Sequence, residues 1–377
     1  MTVDLRADLQ AELMPLALGH DQEASACPWV QLTRRTAAYP SRIAQAALLL
    51  ASGAVSPTPG LVDQIYRCDD CGRCRAHALL PGPPDLPRAL WRVRSSLVAA
   101  AAVPELLPLA AALREHGSIY GDIRVAFGRL GAGDAGAGVL FVPGAATLFY
   151  EPDSAVAALE AVRSVCGRAD LSSDAMDSGH VARELGLTDE ASAIGERVRR
   201  RVAEAGYRLV VTGTPKETFG LRETLAGLPT EVRYAGGLVA GAGGVPEAPA
   251  AGADAVVFHP SETLLHRLDE FDAIDRWLSA WLGGTYAREA DPARDALPAA
   301  IERPAIRVPA SLARALAAAR MAQLQKIGGA SSGRRLILTC DPFSARALRE
   351  VAPPGIEVMD LLLFAFGKRR EEEGAGA

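Results

Sequence analysis

Basic charge is not in excess in this chain of 377 residues: 45 Asp and Glu outnumber 40 Lys and Arg, for a formal net charge of −5. Phosphate recognition needs a basic face, so nucleic acid is excluded as the main partner. Arginines do gather at Arg197, Arg199, Arg200 and Arg201, but on a helical reading Glu196 and Glu204 flank them, as on a solvated face. Long apolar runs are missing as well. The greasiest segment, Leu97 to Leu113, is broken by Pro104, Glu105 and Pro108, too short and interrupted for a transmembrane segment. Asp4, Arg6, Asp8 and Glu12 occupy the place where a secretory signal carries its apolar core. A soluble, cytoplasmic protein is the expectation. Aromatic residues are few, at 5%, while 49% of the chain is hydrophobic and alanine abounds. That predicts a helix-rich core of small side chains, in a chain long enough for two or three domains. Six histidines show no metal-like spacing, and no phosphate loop, zinc-protease helix or nucleophile elbow is present. Gly131-Ala132-Gly133-Asp134-Ala135-Gly136 matches a dinucleotide fingerprint by letter, yet it precedes a strand instead of following one and reads as a flexible interdomain loop.

Cysteine is sparse too, with six in all, but four lie in the first fifth: Cys27 before Pro28, then Cys68, Cys71 and Cys74. In a long chain such spacing points to metal binding in a reducing compartment rather than to disulfides. In the C-x2-C-x2-C-x3-C-P run of two-cluster ferredoxins, three thiols hold one [4Fe–4S] cube and the fourth crosses to the other. Here Cys68, Cys71 and Cys74 with Cys27 complete one cube. The other would need positions 17, 20, 23 and 78, which are Ala17, His20, Glu23 and Ala78. One retained cluster and one deleted cluster is the reading. Three plainer ones stand beside it: a lone Cys27 is a frequent small core residue, Cys68, Cys71, Cys74 and His77 form a Cys3His set of the kind zinc accepts, or the four thiols are an empty relic of the motif.

Along the chain, Ala44–Leu50 and Asp85–Leu113 read as helices, the second opened by Asp85 with Pro87 in its first turn. Nothing in this third alternates with period two. Later segments alternate strand and helix: Val139–Val142, a helix from Pro152 stopped by Gly167, a helix over Asp189–Ala205 stopped by Gly206, and Leu209–Thr212. Gly241–Ala253 reads as a linker. The plan then repeats with Ala255–Phe258, a helix including Trp277–Leu282, a helix over Ser311–Ile327 stopped by Gly328, then Leu336–Thr339 and Ile356–Met359. The fold class is therefore α/β, with helical residues 1–130, α/β lobes over 131–245 and 254–367, and a tail over 368–377 that reads as frayed.

With these elements placed, the chain resembles the iron–sulfur oxidoreductases that join a helical two-cluster ferredoxin domain to tandem cysteine-rich CCG domains. Iron–sulfur subunits of heterodisulfide reductase, of glycolate oxidase and of anaerobic glycerol-3-phosphate dehydrogenase belong to that family. The likeness runs from Cys27-Pro28 through Ile65-Tyr66-Arg67-Cys68 and is clearest at Val139-Leu140-Phe141-Val142-Pro143-Gly144, Tyr150-Glu151-Pro152, Asp177-Ser178-Gly179 and Val211-Thr212-Gly213-Thr214-Pro215. It implies an N-terminal α-helical ferredoxin domain followed by two similar CCG-type lobes. Ala145, Asp177, Ser178 and Thr214 stand at positions matching family cysteines in the first lobe. In the second, Pro260-Ser261 and Asp341-Pro342 replace Pro-Cys and Cys-Pro, while Cys340 and Cys166 read as core thiols.

Without thiolates neither lobe can hold a cluster. Asp177 and Asp341 read as helix caps rather than as ligands for a hard cation. The resemblance implies an iron–sulfur electron-transfer subunit with one [4Fe–4S] cluster and no catalytic residues of its own. Its partners would be other redox subunits, a flavoprotein dehydrogenase or a quinone-linked membrane subunit, the latter placing it on the inner face of a membrane. A structural or assembly subunit, and an oxidoreductase with an unrecognised site, are the alternatives.

Overall fold

The computed structural model describes residues 5–19, 25–77, 85–243, 253–327 and 333–367. His20, Glu23, Ala78, Gly328, the linker centre 244–252 and the tail 368–377 lie outside them. The chain is mixed α/β with two small parallel sheets. Through Leu130 the described residues form helices and short 3-10 turns only. Helix Pro40–Ala51 begins with proline at its first turn, where a missing N–H costs nothing, and turns Ile43, Ala44, Ala46 and Ala47 inward. Those residues pack with Leu9, Leu13 and Ala17 of helix Leu5–Leu18. Asp85 caps the next long helix by accepting from the Arg88 amide. That helix ends at Ala99, however, and Leu107–His116 follows only after a bend of 92° between the two. One continuous helix to Leu113 is thus not formed: Ala101 takes a left-handed φ of 52°, and Pro104 and Pro108 supply no backbone donor. No described helix is long and apolar enough to cross a membrane.

The first sheet has order β2-β1-β3-β4, built from β1 Val139–Val142, β2 Asp170–Leu171, β3 Leu209–Thr212 and β4 Glu231–Tyr234. All pairs are parallel, with Val139 opposite Leu209 and Leu209 opposite Glu231. The second sheet has order β5-β6-β7, from β5 Ala255–His259, β6 Arg335–Thr339 and β7 Ile356–Asp360, again parallel. β5 and β6 are buried along their whole length, which explains why they read as continuous apolar runs rather than alternating ones.

Both sheets repeat a device. A strand ends, a polar residue caps, and proline opens the following helix: Thr214-Pro215 after β3 and Asp341-Pro342 after β6. In each sheet the last strand, β4 or β7, then runs straight into a short helix, Ala235–Ala242 or Leu361–Phe366. The first of these occupies the start of the segment expected to be a linker. Both short helices pack on helix Pro152–Cys166. Phe141, Val211, Phe258, Leu338, Trp277 and Leu361 therefore share one core that joins the sheets. The glycine-rich stretch before β1 is likewise no free loop. Asp134 donates its amide to Ala169 O at 2.9 Å and takes the Arg163 guanidinium at 3.2 Å, while a Cβ on Gly133 would strike the Leu171 amide nitrogen.

A buried ion group ties the helical part to both sheets. Asp70 Oδ2 accepts from Arg94 Nη1 at 2.6 Å and from Arg303 Nε at 3.2 Å, with no solvent on any of the three side chains. Arg94 also donates to Glu184 O at 2.7 Å and Cys68 O at 2.9 Å, and Arg303 to Tyr66 O at 2.9 Å and Cys68 O at 2.7 Å. Replacing Asp70 with Ala strands two desolvated guanidiniums and is expected to cost about 3–5 kcal/mol of stability. Asp70→Gly should lose nearly as much although it relieves the left-handed backbone (φ 60°). Urea unfolding of both variants checks this; a loss under about 1 kcal/mol in either would remove the anchor role.

Candidate functional site: a four-cysteine cavity

Helix Pro59–Arg67, capped by Thr58, ends on Cys68. The backbone then passes through left-handed Asp70 (φ 60°) and Gly72 (φ 77°) before helix Arg73–Ala76. Two reversals within three residues fold Cys68, Cys71 and Cys74 around one concavity. Gly72 is needed for space as well as for φ, since a Cβ there would sit 2.8 Å from Arg267 Nε. Cys27 arrives from another segment as the residue before helix Pro28–Thr33, with Pro28 in the first turn. Arg73 holds that segment in place by donating from Nε to Ala26 O at 3.0 Å. Cys27, Cys68, Cys71 and Cys74 consequently line a single cavity, walled by Trp29, Pro40, Ile43, Leu86 and Pro87. All four are free thiols.

Burial pushes the Cys27 and Cys74 thiols up to about 12, and those of Cys68 and Cys71 well above their ordinary value. The nearby Asp69 raises Cys27 and Cys71 further. Protein alone therefore keeps these sulfurs protonated, whereas a coordinated metal strips the proton outright. Four free thiols, Cys68 buried and Cys27, Cys71 and Cys74 half-buried, in a mostly apolar pocket with a guanidinium at its edge, match the residue types of a [4Fe–4S] donor set. Among the described residues no three His, Cys, Asp or Glu are placed to hold a single metal ion. His77, the fourth member of the zinc set, has its Nε2 3.1 Å from Ala293 O.

Three arginines that sequence reasoning left unassigned hold the cysteine loop: Arg94 and Arg303 bond Cys68 O, and Arg267 packs against Gly72. Arg94 stands on the apolar face of its helix among Leu90, Val93 and Leu97, and an arginine at a core position is a signal the sequence did carry. Arg303 and Arg267 come from loops and helix ends more than 190 residues away, with no such mark. Arg73 donates to Arg294 O at 2.6 Å and also to Ala296 O, and Arg267 pairs with Asp85 at 2.9 Å. Of the places assigned to the deleted cluster, Ala17 is described and is buried in helix Leu5–Leu18.

The positions aligned with lobe cysteines make ordinary hydrogen bonds. Asp177 accepts from the Ala145 amide at 3.0 Å and the Gly179 amide at 2.7 Å. Thr214, Ser261 and Asp341 cap helices, the last through the Ser344 amide at 2.6 Å. Cys340 is fully buried with the Ser261 amide 3.3 Å from its sulfur, and Cys166 closes helix Pro152–Cys166. Arg199 and Arg201 are not merely solvated: they bond Thr224 O and the Tyr207 hydroxyl.

Beneath these caps lies a buried polar group. Lys216 Nζ bonds both Glu184 oxygens at 3.0 and 2.9 Å and approaches Glu302 at 3.8 Å, and Glu302 accepts from the Glu262 amide and the Thr263 hydroxyl. Burial, reinforced by Asp177, lifts Glu217 to about 8. Burial lifts Glu302 to about 8 as well, against the pull of Lys216. Burial would raise Glu184 too, but Lys216 and His180 hold it down to about 2.

No family model, curated protein or solved structure matches this chain.

Through Glu217 and Glu302, and with them the buried Asp69 and Asp360 raised to about 6 and about 7, the folded chain holds carboxyl protons that the unfolded one has released between the ordinary range near 4.5 and about 8. Their contribution to stability is thus full below about 4.5 and falls as pH rises through that window. Glu184, with its depressed value, works the other way and costs stability only as pH drops from 4.5 toward about 2. Urea midpoints followed from pH 4.5 to 8 are expected to slope downward and to flatten in Glu217→Gln/Glu302→Gln; an unchanged slope in that variant would refute the assignment.

Proposed function

We propose that this chain is an iron–sulfur electron-transfer subunit of a larger oxidoreductase, carrying one [4Fe–4S] cluster on Cys27, Cys68, Cys71 and Cys74. The observation that carries the reading is the meeting of Cys27 with the later trio in one buried cavity, from segments 41 residues apart. When bound, such a cluster supplies reversible one-electron chemistry. The chain's own residues would do the rest. Asp69 and Asp70 bring negative charge to the loop, which lowers a cluster's potential, while Arg73, Arg94 and Arg267 bring positive charge, which raises it. Trp29, Ile43 and Leu86 keep water from one side. The helical part then corresponds to a ferredoxin-type domain that keeps one of two clusters, and the two sheet-bearing parts to CCG-type lobes without clusters of their own. Caps and a buried salt-bridge group at the former thiol positions favour docking or structural duty there over redox chemistry. The partners would be other redox subunits, a flavoprotein dehydrogenase or a quinone-linked membrane subunit.

A second reading has its own observation. The Asp70 ion group locks the cysteine loop to both sheets, so a cluster there would also staple three parts of the molecule together, and metal binding would couple to folding. Redox titration separates the two, since a relay reduces reversibly and a staple does not.

Anaerobic purification with iron and acid-labile sulfide counting tests the assignment. About four of each per chain are expected, with the visible iron–sulfur absorbance lost in Cys71→Ala and Cys27→Ala alike. Retained metal in Cys27→Ala, or zinc in place of iron, would overturn it.

A further inference from the structure

Two exposed arginines, Arg75 and Arg88, stand on the surface beside Cys74 with the carboxylates that pair with them lying underneath, while Arg267 is itself buried at 3% exposure. Asp85 is shared by three guanidiniums, those of Arg75, Arg88 and Arg267, and Glu223 by two, those of Arg88 and Arg183. The exposures are unequal: Arg75 and Arg88 are each 51% exposed, whereas Asp85 is 13% and Glu223 19% exposed. An approaching molecule therefore meets the cationic layer first. Arg88 and Arg183 are close enough that burial and this like charge together pull Arg183 below its usual range. The patch continues into an open cavity of about 580 Å³, lined by Arg75, Arg222, Arg267, His266, Phe219 and Asp269. Asp269 is the one exposed acid among those lining residues, at 92%. Segment 78–84, which enters Asp85, carries no charged residue that could neutralise the patch.

The patch adjoins the four-cysteine cavity. Arg75 follows Cys74 directly, Cys74 is half-buried rather than sealed, and Arg267 packs against Gly72 between Cys71 and Arg73. Phe219 already carries Arg267 over its ring at 5.5 Å and meets His180 in a T-shaped contact at 5.1 Å. The four arginines at least partly exposed here, Arg75, Arg88, Arg183 and Arg222, also exceed what one small anion needs.

We infer that this arginine face is the docking surface for an acidic electron-carrier protein, which would meet the chain at Cys74. The inference takes its purpose from the electron-transfer reading, but the docking itself does not require an occupied cluster. Charge complementarity of this kind acts through encounter rate and is weakened by salt.

The test is surface plasmon resonance of the full chain against an acidic plant-type [2Fe–2S] ferredoxin, from 20 mM to 500 mM salt, with iron content measured on the same sample. Expected are binding that weakens steadily with salt and a loss of about tenfold or more in Arg75→Glu/Arg88→Glu, while Arg200→Glu, on an exposed face elsewhere, stays as before. Basic cytochrome c and a single-stranded 20-mer oligonucleotide serve as the contrasting probes. Salt-indifferent binding, an unaffected double variant, no ferredoxin binding at 20 mM salt, or tighter binding of either contrasting probe would overturn the docking surface. Salt-sensitive ferredoxin binding by a chain that holds no iron would support it and remove the electron-transfer reading instead.

Discussion

Asp70 is the residue on which the arrangement turns. Its carboxylate neutralises Arg94 from the helical part and Arg303 from the second sheet-bearing part, and both guanidiniums go on to satisfy the carbonyls at the end of helix Pro59–Arg67. A helix end buried in this way would otherwise leave its last carbonyls unpaired. A left-handed backbone at a residue other than glycine costs about 1–2 kcal/mol, and here it aims the carboxylate inward while turning Cys71 toward Cys68. The same atoms thus fix the loop's shape and fasten it to the remainder of the chain. A solvated aspartate could do neither, because water would screen both pairs.

The second buried polar group has a different character. Around Lys216 the carboxylates outnumber the cations, so not all can be ionised together, and protonation settles the imbalance at Glu217 and Glu302. It lies directly under the caps at Asp177, Thr214 and Asp341, where strand ends from both sheets converge. Backbone amides there are answered by side-chain oxygens.

The strands were legible where burial on both faces wrote short apolar runs: β1 and β3 fall where the sequence places them, and β5, β6 and β7 differ by one residue at an end. β2 and β4 were not, since Asp170-Leu171 is too short to carry a pattern and Glu231–Tyr234 alternates with exposed Glu231 and half-buried Arg233. The four cysteines were visible by spacing, and the cavity brings them together. Nothing local could announce Arg303 or Arg267, because their roles arise only when distant segments meet. Asp70 was read as a charge near a cluster, not as an ion-pair centre, since its partners are 24 and 233 residues away.

The core shared by the two sheets has a consequence for how the molecule comes apart. Trp277 and Phe271, on helix Phe271–Leu282 that packs on helix Ala235–Ala242, share one core with residues of helix Pro152–Cys166, on the far side of segment 244–252. Cutting the chain in that segment would bare a broad greasy surface on each piece, so neither is suited to an independent existence. Heat should melt both sheets in one cooperative event rather than in succession, and a shortened transcript ending between them would yield insoluble product.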